Sequence, residues 1–276
     1  MLQLLTRISS RWRSPKRLVY TCLFGYSERF ADLTYERDST IDFVCFTDMP
    51  EVQSNFWRIE RAEPSRLDAS RAAKQRKILP NRFVSQYDES LYVDNTVRLK
   101  MSPREIFERY LHGANSSFTC FPHPWRHCVY DEAQEVISRG FDTPERVNHQ
   151  MASYQELGYP AHNGLWKGAF LLRRHNDRTV IDVMETWFDH VLKHSHRDQL
   201  SLPVAMWLHN FTPEPIPLDF MDNDILEYPY PADPIRLPRD FNDELYLQLN
   251  PDVRAAKMNP RRHYLLSGAA EGRRFR

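Results

Sequence analysis

The chain has 276 residues, with 37 basic and 37 acidic side chains and a formal net charge of zero. That balance offers nucleic acid no global basic field, and the length suits one large domain with a small appendage. An apolar fraction of 41% and an aromatic fraction of 13% exclude a disordered chain. Only 8 glycines stand against 19 prolines, and neither G-x-x-x-x-G-K-[ST] nor G-x-G-x-x-G occurs, which argues against NTPase, kinase and dehydrogenase chemistry.

Residues 1–16 hold Leu2, Leu4, Leu5, Ile8 and Trp12 with Arg7, Arg11, Arg13 and Lys16 and no acid. The apolar stretch is too short for a signal peptide, and two readings stay open: an amphipathic helix on an anionic membrane face, or a frayed basic leader. No later segment reaches the ~20 apolar residues of a membrane span.

Apolar runs at 18–24, 41–46, 57–60, 90–94, 118–121 and 168–173 predict strands. Helices are predicted over 68–79 (stopped by Pro80), 103–111 (Ser102 as N-cap), 131–139, 179–194 and 199–207. This alternation predicts an α/β fold with a mainly parallel sheet covered on both faces, spanning 17–211. Proline-rich residues 212–239 read as a linker or wrap, and 240–276 as a small helical module turning at Asn250-Pro251-Asp252. Cys22 and Cys45 read as buried thiols. Cys120 to Cys128 suggests a zinc knuckle, but its two prolines and the adjacent His127 and Cys128 suit tetrahedral spacing poorly.

Several segments carry a resemblance. They are Arg71-Ala72-Ala73-Lys74-Gln75-Arg76-Lys77-Ile78-Leu79-Pro80, Tyr87 to Asp94, His123-Pro124, Tyr130-Asp131-Glu132-Ala133 and Arg197-Asp198-Gln199-Leu200-Ser201. In this order and spacing they resemble the DUF616 family of GT-A-like (Rossmann-like) glycosyltransferases, from about residue 17 to 210. The terminal Tyr246-Leu247-Gln248-Leu249-Asn250-Pro251-Asp252-Val253 … His263-Tyr264 … Glu271-Gly272-Arg273 pattern resembles a helical module that accompanies bacterial polysaccharide glycosyltransferases.

The resemblance implies a nucleotide-sugar donor, a glycan or lipid-linked acceptor, and a place in surface-glycan (capsule or O-antigen) synthesis. It also implies a cytoplasmic location, with peripheral contact to the inner membrane or to polysaccharide assembly proteins as a further expectation. Donor binding falls to Thr21, Phe24 and Gly25 after the first strand, Asp48 after the second, the helix face of Arg71, Lys74 and Lys77, and the Asn163 loop. The plainer alternatives are a turn for Asp48 and a solvated face for the cations. Asp94 takes the first acidic position of an Asp-x-Asp element, but Asn95 and Thr96 follow it. Contact to ribose, donor sugar or a Mg2+ or Mn2+ ion therefore stays open. Asp198 is the candidate catalytic base, with an N-cap as its alternative role. His123, Arg126, Glu132 and Gln199 are the expected acceptor contacts, and Arg197 an electrostatic aid. A non-catalytic sugar- or nucleotide-binding module is the competing function, favoured by the absent second acid.

Overall fold

The computed structural model describes residues 14–63, 65–230 and 235–276, so most of the predicted leader lies outside the described residues. The strands are β1 (Arg17–Leu23), β2 (Ile41–Thr47), β3 (Arg58–Arg61), β4 (Glu89–Val93), β5 (Arg98–Leu99), β6 (Phe118–Pro122), β7 (Trp166–Arg173), β8 (Glu214–Pro215) and β9 (Leu226–Glu227). Seven of them form one sheet in the order β3-β2-β1-β4-β7-β6-β8, while β5 pairs with β9. β3, β2, β1 and β4 run parallel, whereas β7 runs antiparallel to both β4 and β6.

Both faces of the sheet are covered, which is why its central strands read as unbroken apolar runs. Along β1, Val19 and Leu23 enter one core with Phe43, Leu91, Phe170 and Leu172. Leu18 and Tyr20 enter the opposite core with Val44, Tyr92 and Leu171. That second core is roofed by α1 (Ala69–Ile78), α5 (Arg178–Lys193) and α6 (Leu202–Leu208). On the first face lies α2 (Pro103–Phe107), which Ser102 caps as expected by accepting the Glu105 amide. A smaller cluster joins α3 (Val129–Ser138) to α4 (Pro144–Glu156), a helix outside the predicted set.

The C-terminal module comprises α7 (Asp243–Leu249), α8 (Pro251–Ala255) and α9 (Pro260–His263) around Phe241, Tyr246 and Val253. Asn250 serves the predicted turn, its carboxamide donating to the carbonyls of Tyr246 and Arg274. The module docks on the sheet domain: Arg29 donates to the Leu265 carbonyl at 2.6 Å, and Arg262 lies 3.4 Å from Glu51. Among the described residues, no helix is long and apolar enough to cross a membrane.

One buried cation sets the geometry of α1. Asp68 caps its N-terminus by accepting the Arg71 amide at 3.0 Å. At the other end, Arg173 of β7 is fully buried and pairs with no carboxylate among the described residues; its guanidinium donates to the Lys77 carbonyl (2.8 Å) and the Tyr20 hydroxyl (2.6 Å). Tyr20 in turn donates to the same Lys77 carbonyl at 2.7 Å. The negative end of a helix thus receives a charge from the adjoining sheet. Arg173→Met fits the space but removes these donors, and is expected to destabilise the fold by about 2–3 kcal/mol in urea unfolding. An unchanged unfolding midpoint would show that α1 does not depend on this contact.

Candidate functional site

The C-terminal end of β4 and the start of β7 face α1 and residues 197–199 across a polar cavity of about 150 Å3. A crevice at the carboxyl ends of strands is where an open α/β sheet takes its ligands. Lys74 and Lys77 reach the cavity from α1, Asp94 from the end of β4, Lys167 from β7, and Arg197, Asp198 and Gln199 from the short 3-10 turn Asp198–Leu200 and its entry. Tyr92 and Tyr228 complete the wall.

The charges interlock. The Lys77 ammonium lies 2.6 Å from Asp198 Oδ2 and 3.8 Å from Asp94 Oδ1. Lys74 is 3.9 Å from Asp198 Oδ1. Asp94 also accepts the Tyr92 hydroxyl at 2.7 Å. Tyr92 stands two residues before Asp94 on the same strand face, a relation the strand period makes visible. Trp187 of α5 donates to the Asp198 carbonyl at 2.7 Å and fixes that turn. Gly168 leaves room for the tip of Lys77, since a Cβ there would lie 3.2 Å from the Lys77 nitrogen and press it aside by a few tenths of an ångström.

Burial by itself would raise the Asp198 carboxyl. Lys74, Lys77 and Arg197 overcome it and hold the group well below the usual carboxylate range. Burial likewise pulls Lys74 and Lys167 down, while the attraction of Asp198 and Asp94 outweighs it at Lys77 and moves that ammonium up. The difference between the two α1 lysines follows their distances to Asp198. A carboxylate held down in this way is a weak proton acceptor. A hard divalent cation wants several oxygen ligands, yet an ammonium already lies between the two acids and one Asp94 oxygen takes a hydroxyl. The residues around Asp94 therefore do not fit the Mg2+ or Mn2+ expected there.

The other expected donor contacts are placed differently. Arg71 turns away from the cavity: its guanidinium donates to the Val191 and His194 carbonyls at the end of α5 and to Asp68. Phe24 is buried in the core rather than free to stack on a base. Thr21 is enclosed in β1 opposite Cys45. Gly25 adopts φ +76° and leaves no room beside Ala69, since a Cβ would come within 2.3 Å. Asp48 accepts the Gly25 amide at 2.9 Å and so ties the ends of β1 and β2 together, in keeping with the turn alternative. Asn163 lies on an exposed loop beside a separate cavity with Trp166 and Trp207.

The four residues expected at an acceptor form a connected patch. Gln199 donates to Glu132 at 2.8 Å, and Glu132 accepts Arg126. His123 accepts the backbone amides of Trp125 and Arg126 at its Nδ1. Burial, then Lys167 and Arg126, push the His123 pKa down to about 3, so the ring is neutral and orders the loop. Trp125 projects from this loop, 63% exposed.

A second cavity of about 210 Å3 lies at the ends of β1 and β2, between Tyr26, Phe30 and Met49 on the sheet domain and Arg262, Leu265 and Leu266 of the module. Asn95 connects it to the polar cavity. This residue follows Asp94 directly, accepts the Ala31 amide, and donates to the Arg29 carbonyl and the Glu28 carboxylate. Sequence reasoning did not single out Tyr92 or Tyr228, and Tyr228 carries no local signal within its proline-rich surroundings.

Removing the ammonium tests the electrostatics. Because the native Asp198 pKa lies below its unfolded value, its stabilisation is present above about pH 4 and is lost as the pH falls through the native value. In Lys77→Met the remaining buried carboxylate is poorly compensated, with an expected loss of about 3 kcal/mol at neutral pH. The deficit should shrink towards pH 3, where the variant's Asp198 is protonated. Equal deficits at pH 7 and pH 3 would count against the pair.

Comparison with known proteins agrees with this architecture. The family model "TOD1/MUCI70, glycosyltransferase-like domain" matches residues 19–222. The chain is 28% identical over 144 residues, 49% of its own length, to a "Probable hexosyltransferase MUCI70" of Arabidopsis thaliana. It spans only 24% of that relative's length. On the family match, the chain belongs to the TOD1/MUCI70 glycosyltransferase-like family, the DUF616 family that its motifs resemble.

Proposed function

We propose that this protein transfers a sugar from a nucleotide-sugar donor to a glycan or lipid-linked glycan. The observation that carries this reading is the charge of the polar cavity. Lys74, Lys77, Lys167 and Arg197 face two acids, Asp94 and Asp198, leaving two positive charges in excess. A nucleoside diphosphate ester brings two negative charges, and paired lysines and an arginine suit its oxygens. Neutralisation then falls to side chains, with Lys77 standing where a divalent ion would bridge.

The donor's nucleoside is assigned to the second cavity, with Tyr26 and Phe30 as aromatic partners and Glu51 or Arg262 for polar edges. Asp94 then faces the ribose or the donor sugar. The acceptor lies over Trp125, whose exposed ring offers a stacking face for a pyranose, with the Arg126–Glu132–Gln199 chain behind it. A diphosphate beside Lys77 would weaken that ammonium's hold on Asp198 and bring a new negative charge near it. Both effects raise the Asp198 pKa, so this carboxylate becomes an effective base only after the donor has bound. We extend the reading to surface-glycan synthesis on the cytoplasmic side of a membrane, where nucleotide sugars and lipid-linked acceptors meet.

The test separates binding from chemistry. A panel of UDP-, GDP-, CMP- and dTDP-sugars should raise the thermal midpoint for one nucleotide class, with or without Mn2+. Asp198→Asn should keep that shift and lose transfer by about a thousandfold or more. Transfer at the wild-type rate by Asp198→Asn, or the absence of any shift across the panel, would contradict the reading. A shift without transfer to any acceptor would favour the binding-module alternative.

A further inference from the structure

The cysteine-histidine segment read as a poor zinc knuckle has another use in the fold. Cys120 is buried in β6, where Leu171 of β7 faces it, and its thiol belongs to the sheet core. Cys128 instead closes the 123–128 loop at the N-cap of α3, where its side chain makes no capping hydrogen bond. One turn into the helix stands Asp131, and across from both, on the loop leading to β7, stands His162. A sulfur, a carboxylate oxygen and an imidazole nitrogen of these three residues all lie within 4.8 Å of one another. The His127 ring stacks obliquely on that of His162, with centroids 5.0 Å apart.

The two loops are already fastened beside this cluster. Gly164 donates to the His127 carbonyl at 3.0 Å, and His123 to the Leu165 carbonyl at 2.8 Å. His162 has φ +58°, an uncommon conformation for a residue with a Cβ, and its imidazole faces the cluster from that backbone position. The donors therefore hang from a braced frame, and closing them around an ion needs side-chain movement of the order of 1 Å, given metal–ligand bonds of about 2.0–2.3 Å.

We infer that Cys128, Asp131 and His162 supply three ligands of a zinc site, with the neighbouring His127, its ring centroid 5.0 Å from that of His162, as the candidate fourth. A thiolate with imidazoles and a carboxylate suits borderline-soft Zn2+ and is poorly matched to Mg2+ or Mn2+. The bound ion clamps the loop that carries Trp125 and Arg126 to the loop that leads to Lys167. It is separate from the polar cavity, and the inference does not depend on the proposed transfer reaction.

The experiment uses the full chain, stripped with a chelator and titrated with Zn2+ and Co2+. About one tightly bound equivalent per chain is expected, and the cobalt form should show thiolate-to-metal charge-transfer absorption. Cys128→Ser should abolish that band, and Cys120→Ser should leave it intact. His162→Ala alters only an exposed loop and serves where Cys128→Ser fails to fold. It should weaken Zn2+ binding by more than about tenfold, since even loss of an outer partner of a ligand costs that much. No charge-transfer band in the wild-type chain, or zinc affinity unchanged in His162→Ala, would overturn the inference.

Discussion

The contact on which the site depends is the ammonium of Lys77 held between Asp198 and Asp94, 2.6 Å from one and 3.8 Å from the other. Asp198, buried beside it, would lose its nearest counter-charge without that ammonium, and the ammonium would be a poorly compensated buried charge without the acids. The pair is buried in the absence of ligand, so the cavity carries its charge at the cost of desolvation. That arrangement suits a site whose partner is an anion. A diphosphate can replace the carboxylates around the lysine, and the freed carboxylates can then meet hydroxyls or protons.

Most of the neighbouring architecture serves to place that nitrogen. Arg173 crosses from the sheet to the end of α1 and fixes the carbonyl of Lys77 itself. Gly168 of β7 gives the side chain its passage. Trp187 of α5 secures the turn that carries Asp198. At the far end of the same helix, Arg71 binds the terminal carbonyls of α5. α1 is thus anchored at both ends, at Arg71 and at the Lys77 carbonyl, and the Lys74 and Lys77 side chains face the cavity. A helix fixed in this way loses little side-chain freedom on meeting a ligand, which favours binding.

The parallel half of the fold was legible because strands buried on both faces carry no polar alternation. β1, β2 and β4 therefore appear as plain apolar runs within a residue of their true limits. Direction was not legible: nothing in 118–121 or 168–173 distinguishes an antiparallel from a parallel strand. α4 escaped notice because its inner face mixes Val147 and Met151 with Gln150, a buried amide paired to Tyr154. In the site, the spacing of Arg71, Lys74 and Lys77 suggests one helix face. Spacing could not tell that Arg71 faces the carbonyls of α5 and the lysines the cavity. Phe24 shows the same limit, since an aromatic after a strand fits a base-stacking role and a core role equally well. The module's docking beside the β1 and β2 ends depends on contacts more than two hundred residues apart, such as Arg29 with Leu265, and has no local signal.

A crystal structure of the chain with the nucleoside diphosphate of the proposed donor, grown with a chelator present, decides whether the lysines receive the phosphates. Phosphate oxygens are expected within hydrogen-bond distance of Lys74, Lys77 and Arg197, with the nucleoside between Tyr26 and the C-terminal module and Asp198 separated from Lys77. A diphosphate bound elsewhere, or a Lys77–Asp198 pair left closed beneath a bound nucleotide, would contradict this expectation.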